Sequence, residues 1–234
     1  MQISATTQTS TNRYSSWFLI VTAVFITCLI TANITAVKLV EVFGMVLPAA
    51  VIIFPISYIF GDVLTEVYGY RQARRVIWLG FFCNLLAVVT IWVAGLLPPA
   101  GIWDGQPAYE RILGYTPRIL VASFLAYLVG EFVNSFVLAR LKIATRGRWL
   151  WMRTISSTLI GQGLDSLVFI TLAFWGAIPA AGLLSAIIAQ WLFKSVYEIV
   201  ATPFTYAVVN TLKRREGTDV YDHDTRFNPF LVND

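Results

Sequence analysis

The chain has 234 residues, of which 57% are hydrophobic and 13% are charged, and its formal net charge is +4. Soluble domains carry about 25% charged residues, so this composition argues against a soluble protein and indicates a chain embedded in a lipid bilayer. The only histidine is His223, which argues against a multi-histidine metal site and a Ser-His-Asp triad. Cys28 and Cys83 lie in apolar runs without a metal-ligand spacing, so we interpret them as packing residues and expect neither a metal nor a cofactor.

Six apolar segments are long enough to cross a bilayer, which takes about 20 residues. In chain order these predicted spans cover residues 17–37, 42–60, 76–97, 119–141, 155–175 and 183–209. Span 2 can extend to Tyr68, and the long span 6 with Pro203 predicts either a kink or an extension beyond the bilayer. The sequence therefore predicts an all-α integral membrane protein, with a polar segment at 1–16, a six-helix transmembrane domain at 17–212 and a cytoplasmic tail at 213–234.

The basic residues predict the orientation of these spans. Only Lys38, Arg111 and Arg118 fall on one side of the bilayer, and Lys194 lies within span 6. The others fall on the opposite side: Arg13, Arg71, Arg74, Arg75, Arg140, Lys142, Arg146, Arg148, Arg153, Lys213, Arg214, Arg215 and Arg226. Because cytoplasmic loops carry the excess of Lys and Arg, both termini are predicted to be cytoplasmic. These residues flank apolar runs, so we expect a lipid bilayer as partner and no nucleic acid.

Two polar regions lie outside the spans. The loop at 98–117 is rich in the turn signals proline and glycine, and we interpret it as a connector, with a lid over an outer vestibule as the alternative. From Glu216 onward the tail is polar, and we expect it to be flexible.

Span 2 ends in a segment with two acidic residues. Asp62 and Glu66 are four apart and share a helix face, with Tyr58 one turn earlier. Two like charges on one face are unfavourable unless a cation or a donor-rich ligand meets them. The alternative is that both lie at the cytoplasmic interface and pair with arginines of the following loop: Arg71, Arg74 or Arg75.

Spans 4, 5 and 6 each carry polar side chains at helical spacing. They are Glu131 with Asn134, Gln162 with Asp165, and Gln190 with Lys194 and Glu198, while Asn33 lies near the outer end of span 1. A charged side chain at the bilayer centre costs roughly 2.5–3.5 kcal/mol, so we expect these groups to face one solvated cavity. The alternative is a buried polar network that only holds the helices together.

Lys194 is the cation that the sequence places at membrane depth. It can satisfy Glu198, one turn away, or it can neutralise Asp165 or Glu131. In each case the bundle keeps a surplus of carboxylates, which favours a binding site for a donor-rich ligand.

A ridge of small residues lies on another face of span 4. Ala122, Ala126 and Gly130 are four apart, a pattern that suits close helix packing. Together with the apolar surface, this ridge predicts a homo-oligomer such as a homodimer.

Taken together, these segments resemble the queuosine precursor transporter family, also called the vitamin uptake transporter family. The resemblance covers roughly residues 30–206. It rests on Asn33 and Lys38; Pro55, Tyr58, Asp62, Glu66, Val67, Tyr68, Gly69 and Arg74; Gly161, Gln162, Asp165 and Phe169; and Lys194, Tyr197, Glu198 and Pro203.

The resemblance implies a bacterial inner-membrane importer of queuosine precursors, 7-cyano-7-deazaguanine and/or 7-aminomethyl-7-deazaguanine. It also implies a six-helix fold similar to the substrate-binding subunits of energy-coupling-factor vitamin transporters, acting without their ATPase module. The residues fit a guanine-like base, because a carboxylate accepts two adjacent N–H groups in a bidentate bond, amides serve its other polar atoms, and a tyrosine can stack. The substrate-binding candidates are Asn33, Tyr58, Asp62, Glu66, Glu131, Asn134, Gln162, Asp165, Gln190, Lys194 and Glu198.

Two other functions stay open at this point. A binding subunit of an ATP-driven vitamin transporter would need a docking surface, which Ala32 and Ala36 could supply, although such pairs more often pack helices within one chain. An intramembrane hydrolase could use a pair of carboxylates. The sequence contains no GxSxG, HExxH or histidine cluster, so we do not expect an enzyme.

Overall fold

The computed structural model describes residues 15–42, 45–114, 117–177 and 179–231. Within these residues there are seven α-helices and one β-hairpin. In chain order the elements are α1 (Ser16–Thr35), β1 (Leu39–Val42), β2 (Met45–Pro48), a 3-10 helix (Ala49–Ile52), α2 (Phe54–Tyr68), α3 (Tyr70–Leu96), α4 (Gln106–Leu113), α5 (Pro117–Ala144), α6 (Leu150–Phe174) and α7 (Ala180–Glu216). The prediction of a helical bundle is confirmed, with the hairpin as its one departure among the described residues.

Long apolar helices make up most of the bundle. Five helical segments of the described chain are long and apolar enough to cross a membrane: Ser16–Thr35, Tyr70–Leu96, Gln106–Ala144, Leu150–Phe174 and Ala180–Glu216. Large apolar side chains on their outer faces remain exposed, as for Leu86 at 68%, Trp92 at 64% and Val200 at 75%. Soluble monomers rarely expose such a continuous apolar surface, so this one is suited to lipid.

The second predicted span, 42–60, is not a single helix. Its first part belongs to an antiparallel hairpin in which Leu39 lies opposite Pro48, and the 3-10 helix follows. Valines in this stretch favour a strand, while Pro55 suits the first turn of α2. At about 1.5 Å per residue, the 15 residues of α2 cover about 22 Å, less than a hydrocarbon core of about 30 Å. The count of six spans therefore stays a prediction.

Contacts between helix ends define two ends of the bundle. At one end, Phe18 in α1 lies edge-on to Tyr68 in α2, with ring centroids 5.0 Å apart, and the Arg215 guanidinium in α7 lies 5.1 Å from the Trp17 ring centroid. We call this end the tail end, because the C-terminal residues pack there. At the opposite end, which we call the far end, Arg118 at the start of α5 donates hydrogen bonds to carbonyl oxygens at the end of α6.

The loop predicted at 98–117 contains the short helix α4. The Tyr109 hydroxyl donates to the Ile91 carbonyl oxygen at 2.7 Å, and the Gln106 amide donates to the Gly95 carbonyl oxygen at 3.3 Å. These contacts hold α4 against the last turns of α3.

The expectation of a flexible tail is wrong for the residues that the structure describes. The Trp78 indole N–H donates to the Pro229 carbonyl oxygen at 2.8 Å, so the tail lies along α3. Asp222 is 3% exposed, and its carboxylate accepts the Tyr70 backbone N–H at 2.9 Å. A carboxylate at the first turn of α3 is stabilised by the positive end of the helix dipole, so the tail is part of the folded structure.

Gly69, between α2 and α3, has φ 83° and ψ 165°, a region that only glycine occupies readily. A Cβ atom there would lie 2.7 Å from Cγ1 of Val220 in the tail. We expect Gly69→Ala to lower the free energy of unfolding by about 1–3 kcal/mol from backbone strain, with a further loss because the tail must move. Thermal unfolding of the purified protein in detergent measures this change.

Gly217→Ala is the matched control for this prediction. Gly217 has φ 61° and ψ 23°, and a Cβ atom there would meet no described atom within 4 Å. Alanine at this position should therefore lower the free energy of unfolding by only about 1–2 kcal/mol, because a non-glycine residue is disfavoured in the left-handed conformation. An equal loss of stability in both variants would contradict the role assigned to the Val220 contact.

Candidate functional site

Polar side chains from four helices meet inside the bundle, near the middle of their helices. Their spacing of three or four residues places them on the inward faces. We call this group the central cluster, and it consists of Tyr58 and Asp62 on α2, Glu131 and Asn134 on α5, Gln162 and Asp165 on α6, and Lys194 and Glu198 on α7. All of these except Lys194 are at most 4% exposed.

Glycines allow the helices to approach closely at the central cluster. A Cβ atom on Gly130 of α5 would lie 3.0 Å from the Tyr58 hydroxyl and 2.9 Å from Cβ of Asp165. A Cβ atom on Gly161 of α6 would lie 2.8 Å from Cβ of Asn134. Larger residues would push α2, α5 and α6 apart, so these glycines bring the polar side chains within reach of one another.

Two contacts link helices across the central cluster. Lys194 forms an ion pair with Asp165, which joins α7 to α6, and its ammonium group lies 4.4 Å from the Phe54 ring centroid. The Asn134 amide N–H donates to Oδ1 of Asp62 at 2.7 Å, which joins α5 to α2. Of the carboxylates that the sequence offers to Lys194, the structure therefore selects Asp165.

Many polar atoms of the central cluster have no hydrogen-bond partner among the described residues. They are Tyr58 Oη, Asp62 Oδ2, Glu131 Oε2, Asn134 Oδ1, Gln162 Oε1 and both carboxylate oxygens of Glu198. Each buried polar atom left without a partner costs about 1–3 kcal/mol, and native proteins contain few. Since most of these atoms are hydrogen-bond acceptors, the group that would complete them is a donor.

The side chains of the central cluster, except Lys194, are buried within the bundle. Two cavities, of about 770 and 410 Å³, lie elsewhere: one on the outer face of α7 around Ile188, and one at the tail end around Arg71 and Tyr221. Neither is lined by a member of the cluster.

Three candidate residues lie outside this group: Asn33, Gln190 and Glu66, of which Glu66 is described below. Asn33 donates to Oδ1 of Asn84 at 3.1 Å and accepts from the Ser123 hydroxyl at 3.3 Å, so it belongs to a second polar group at the far end. Ser123 precedes Glu131 by eight residues, which is about 12 Å along α5. Gln190 lies on α7 one turn before Lys194, and its Oε1 is buried without a partner in the described chain.

The sequence reasoning missed several hydroxyl groups near the cluster. Thr158, Ser166 and Ser195 are at most 4% exposed, and their hydroxyl oxygens have no partner among the described residues. Thr158 and Ser166 lie four residues before and after Gln162, so the helical period alone could have added them to the polar face of α6.

Glu66 belongs to a separate network at the tail end. It is fully buried, and its Oε1 lies 2.7 Å from Arg153 Nη2, 2.7 Å from Lys213 Nζ and 3.7 Å from Lys142 Nζ. The two lysines also contact Asp219 of the tail, at 2.6 Å and 2.9 Å. We call these five residues the tail-end network.

The alternative that Glu66 pairs with the arginines after span 2 is wrong. Its partners come from α5, α6 and α7 rather than from Arg71, Arg74 or Arg75. Arg153 and Lys142 are each 1% exposed, although the sequence pattern placed them in a solvated loop. Helical spacing gave no signal for these partners, because they are more than 70 residues away along the chain.

Asp219 in the tail is the most accessible member of the tail-end network. Burial raises the pKa of Asp219, but the hydrogen bonds and charges of Lys142 and Lys213 outweigh it and hold the pKa below its ordinary value. A carboxylate of this kind contributes stability above its unfolded-state pKa and loses it as the pH falls through its folded-state pKa. The Asp219 contacts therefore weaken as the pH falls into the acid range.

The small-residue ridge of α5 packs inside the chain. Ala122 and Ala126 are 0% and 1% exposed, and Gly130 lies against Tyr58 and α6. This ridge is therefore not available to a second copy of the chain, and it does not support the prediction of a homo-oligomer. Ala32 on α1 is likewise 2% exposed, so it packs within the chain and offers little surface to a partner.

Comparison with known proteins agrees with a transport function. The profile of a family described as "Putative vitamin uptake transporter" matches residues 48–208, which include the whole central cluster. The chain belongs to this transporter family. Membership makes the protein a transporter rather than an enzyme, which argues against the intramembrane hydrolase.

Relatives in three bacteria carry a more specific name. A "Probable queuosine precursor transporter" of Bacillus subtilis (strain 168) is 32% identical over 190 residues, covering 80% of this chain and 82% of that protein. The "Queuosine precursor transporter" of Escherichia coli (strain K12) is 29% identical over 210 residues, covering 88% and 91%. A "Probable queuosine precursor transporter" of Haemophilus influenzae is 26% identical over 146 residues, covering 62% and 60%. No solved structure matches the chain.

Glu66→Gln tests the tail-end network. The change removes the negative charge that Arg153 and Lys213 share and presents an amide to buried cations. Breaking a buried ion pair costs about 3–5 kcal/mol, so we expect a lowered melting temperature and reduced yield of folded protein. Glu110→Gln in exposed α4 makes the same chemical change and should leave the melting temperature unchanged. Equal stability of both variants would show that the network does not hold the bundle.

Proposed function

We propose that this protein imports a queuosine precursor, 7-cyano-7-deazaguanine and/or 7-aminomethyl-7-deazaguanine, across the bacterial inner membrane. The observation that carries the proposal is the set of buried acceptor atoms in the central cluster that lack a partner among the described residues. A guanine-like base presents a ring N–H and an exocyclic NH₂ side by side, which are the donors that such acceptors require. The names of the relatives from three bacteria support the same substrate class.

The central cluster supplies each kind of contact that a guanine-like base needs. A carboxylate among Asp62, Glu131, Asp165 and Glu198 grips the N–H edge in a bidentate bond. The amides of Asn134 and Gln162 serve the carbonyl and ring nitrogens, and Gln190 extends the polar face of α7. The Tyr58 ring packs on the base.

Two of the sequence candidates have other roles in this proposal. Glu66 anchors the tail end, because its Oε1 is already shared by three cations. Asn33 lies on the path between the far end and the central cluster, since its contacts are with Asn84 and Ser123. Lys194 neutralises Asp165 and orients it toward the base.

We further propose six membrane crossings with both termini in the cytoplasm. The start of α1 and the ends of α2 and α7 all lie at the tail end, so α2 must return across the bilayer although it is short. The hairpin and the 3-10 helix complete this crossing at the far end. The excess of basic residues on the tail-end side supports a cytoplasmic tail end.

The protein acts without an ATPase module in this proposal, as the family resemblance implies. Ala32 is buried inside the chain, which weakens the docking surface that the ATP-driven alternative would use. Uptake in a host that lacks such ATPase modules tests this point. Assembly as a homo-oligomer stays a prediction.

Cysteine labelling tests the orientation. Ile102 in the far-end loop is 99% exposed, and His223 in the tail is exposed. In intact cells, we expect a membrane-impermeant maleimide to label Ile102→Cys, and to label His223→Cys only after the membrane is permeabilised. The parent protein with Cys28 and Cys83 gives the background. Labelling of His223→Cys from outside would overturn the proposed orientation.

Conservative substitutions test the carboxylate grip. Asp→Asn or Glu→Gln keeps the size but turns one acceptor oxygen into a donor, so a bidentate contact becomes one bond and one donor–donor clash. Hydrogen bonds to charged groups contribute about 1.5–3 kcal/mol, so binding should weaken on the order of a hundredfold at the gripping carboxylate. The measurement is binding and uptake of labelled 7-cyano-7-deazaguanine by Asp62→Asn, Glu131→Gln, Asp165→Asn and Glu198→Gln.

The exposed Glu110→Gln is the control for this series. Asp222 is not suitable as a control, because it is buried and bonds the Tyr70 backbone N–H. An analogue of the base without its exocyclic amino group should bind the parent protein weakly and discriminate little among the variants. Parental affinity in all four variants would show that no carboxylate holds the base.

A further inference from the structure

Three carboxylates of the central cluster lack a cation. Asp62 on α2, Glu131 on α5 and Glu198 on α7 are each at most 2% exposed. They lie close enough to interact electrostatically, Asp62 with both Glu131 and Glu198, and Glu131 with Glu198. We call these three residues the carboxylate trio.

The interior cations of the described chain are engaged elsewhere. Lys194 is paired with Asp165, and three more cations form the tail-end network around Glu66 and Asp219. No ion pair of the described residues includes a member of the trio. Four oxygen atoms of the trio are buried without a hydrogen-bond partner in the described chain: Asp62 Oδ2, Glu131 Oε2, Glu198 Oε1 and Glu198 Oε2.

The groups that face the trio do not supply the missing charge. They are Tyr58 and Glu66 from α2, Tyr127 and Asn134 from α5, and Asp165 from α6, while Lys194 from α7 is paired with Asp165. Tyr58 is 1% exposed, its hydroxyl has no partner among the described residues, and it lies close enough to interact electrostatically with Asp62, Glu131 and Asp165. A buried, unpartnered side chain aimed at the trio indicates that something binds there.

A proton suits the trio better than a metal ion. The described residues contain no group of three or more His, Cys, Asp or Glu side chains placed to hold a metal. Three carboxylates that repel one another in a low-dielectric interior cannot all be ionised without a compensating charge. A proton on one member of the trio removes one charge and leaves a carboxyl O–H that can donate to an acceptor atom of a ligand.

We propose that the carboxylate trio is a proton-binding site and that one proton enters the cell with each base. This inference rests on the proposed function. The base is neutral and brings no cation, and closing the helices around it removes the water that stabilises ionised carboxylates. The proton therefore binds to the trio as the base is enclosed, and it leaves to water when the site opens at the tail end.

Purified protein in liposomes tests the coupling and the proposed function separately. Equilibrium exchange of labelled 7-cyano-7-deazaguanine needs a carrier but no driving force. Net accumulation of the base against its own concentration gradient requires that its transport be coupled to another gradient, here that of protons. With the outside one pH unit more acidic than the inside and the membrane potential clamped at zero, one proton per base sustains up to a tenfold accumulation. We expect exchange, accumulation in this range, and alkalinisation of a weakly buffered external medium when the base is added.

Each outcome bears on the inference in a defined way. Exchange without accumulation under the pH gradient, or accumulation that requires a Na⁺ gradient instead, would overturn proton coupling and leave the proposed function intact. Absence of both exchange and binding would reject the proposed function and the coupling with it.

Variants locate the proton site. We expect Glu198→Gln, where equilibrium exchange of the base is retained, to abolish pH-driven accumulation and the alkalinisation signal, whereas Glu110→Gln should keep both at the parental level. Asp62→Asn and Glu131→Gln provide a second and a third test if Glu198→Gln does not give a monodisperse protein. Parental accumulation in the folded members of this set would show that the trio does not carry the proton.

Discussion

The cost of burying charge in a medium of low dielectric constant organises this bundle. Four cations of its interior are paired with carboxylates: Lys194 with Asp165, and Arg153, Lys142 and Lys213 with Glu66, with Asp219 contacting the two lysines. Arg74, which is fully buried, donates to the Arg226 and Asn228 carbonyl oxygens of the tail. Breaking one of the ion pairs leaves an uncompensated charge, so these contacts fix how α2, α5, α6 and α7 meet. Once these cations are engaged, the centre of the bundle holds carboxylates in excess, and this excess is the basis for proposing a binding site there.

The helical period of the sequence determines which side chains share a face, and it identified the inward faces of α5, α6 and α7 correctly. It does not determine which residues of different helices lie at the same depth. Asp62 and Glu66 are equivalent by spacing, yet Asp62 bonds Asn134 at the centre, whereas Glu66 meets three cations at the tail end. The sequence named the carboxylates that could pair with Lys194. Which of them does so depends on how α6 and α7 are aligned along their axes, and the structure shows Asp165.

The second predicted span illustrates a different limit. A short apolar run reads equally well as a strand or as part of a helix, so the hairpin of β1 and β2 gave no separate signal within a long apolar stretch. The packing of the tail could not be predicted from the sequence either. Its contacts with Trp78 and Tyr70 join residues about 150 positions apart, through a backbone carbonyl and a carboxylate. Polar composition predicted flexibility, but a polar segment that satisfies buried donors becomes fixed.

Helix α2 contributes a carboxylate to both the central cluster and the tail-end network. Asp62 and Glu66 are one helical turn apart, about 6 Å along the axis, and Glu66 contacts Arg153 on α6 and Lys213 on α7. Without Glu66, Arg153 would be buried without a counter-charge, which is costly. Asp219 lies 2.6 Å from Lys142 and 2.9 Å from Lys213, so the tail gives both lysines a second carboxylate. Among the described residues, Arg153 has Glu66 as its one ion-pair partner, so it is the member of the network that depends most on α2.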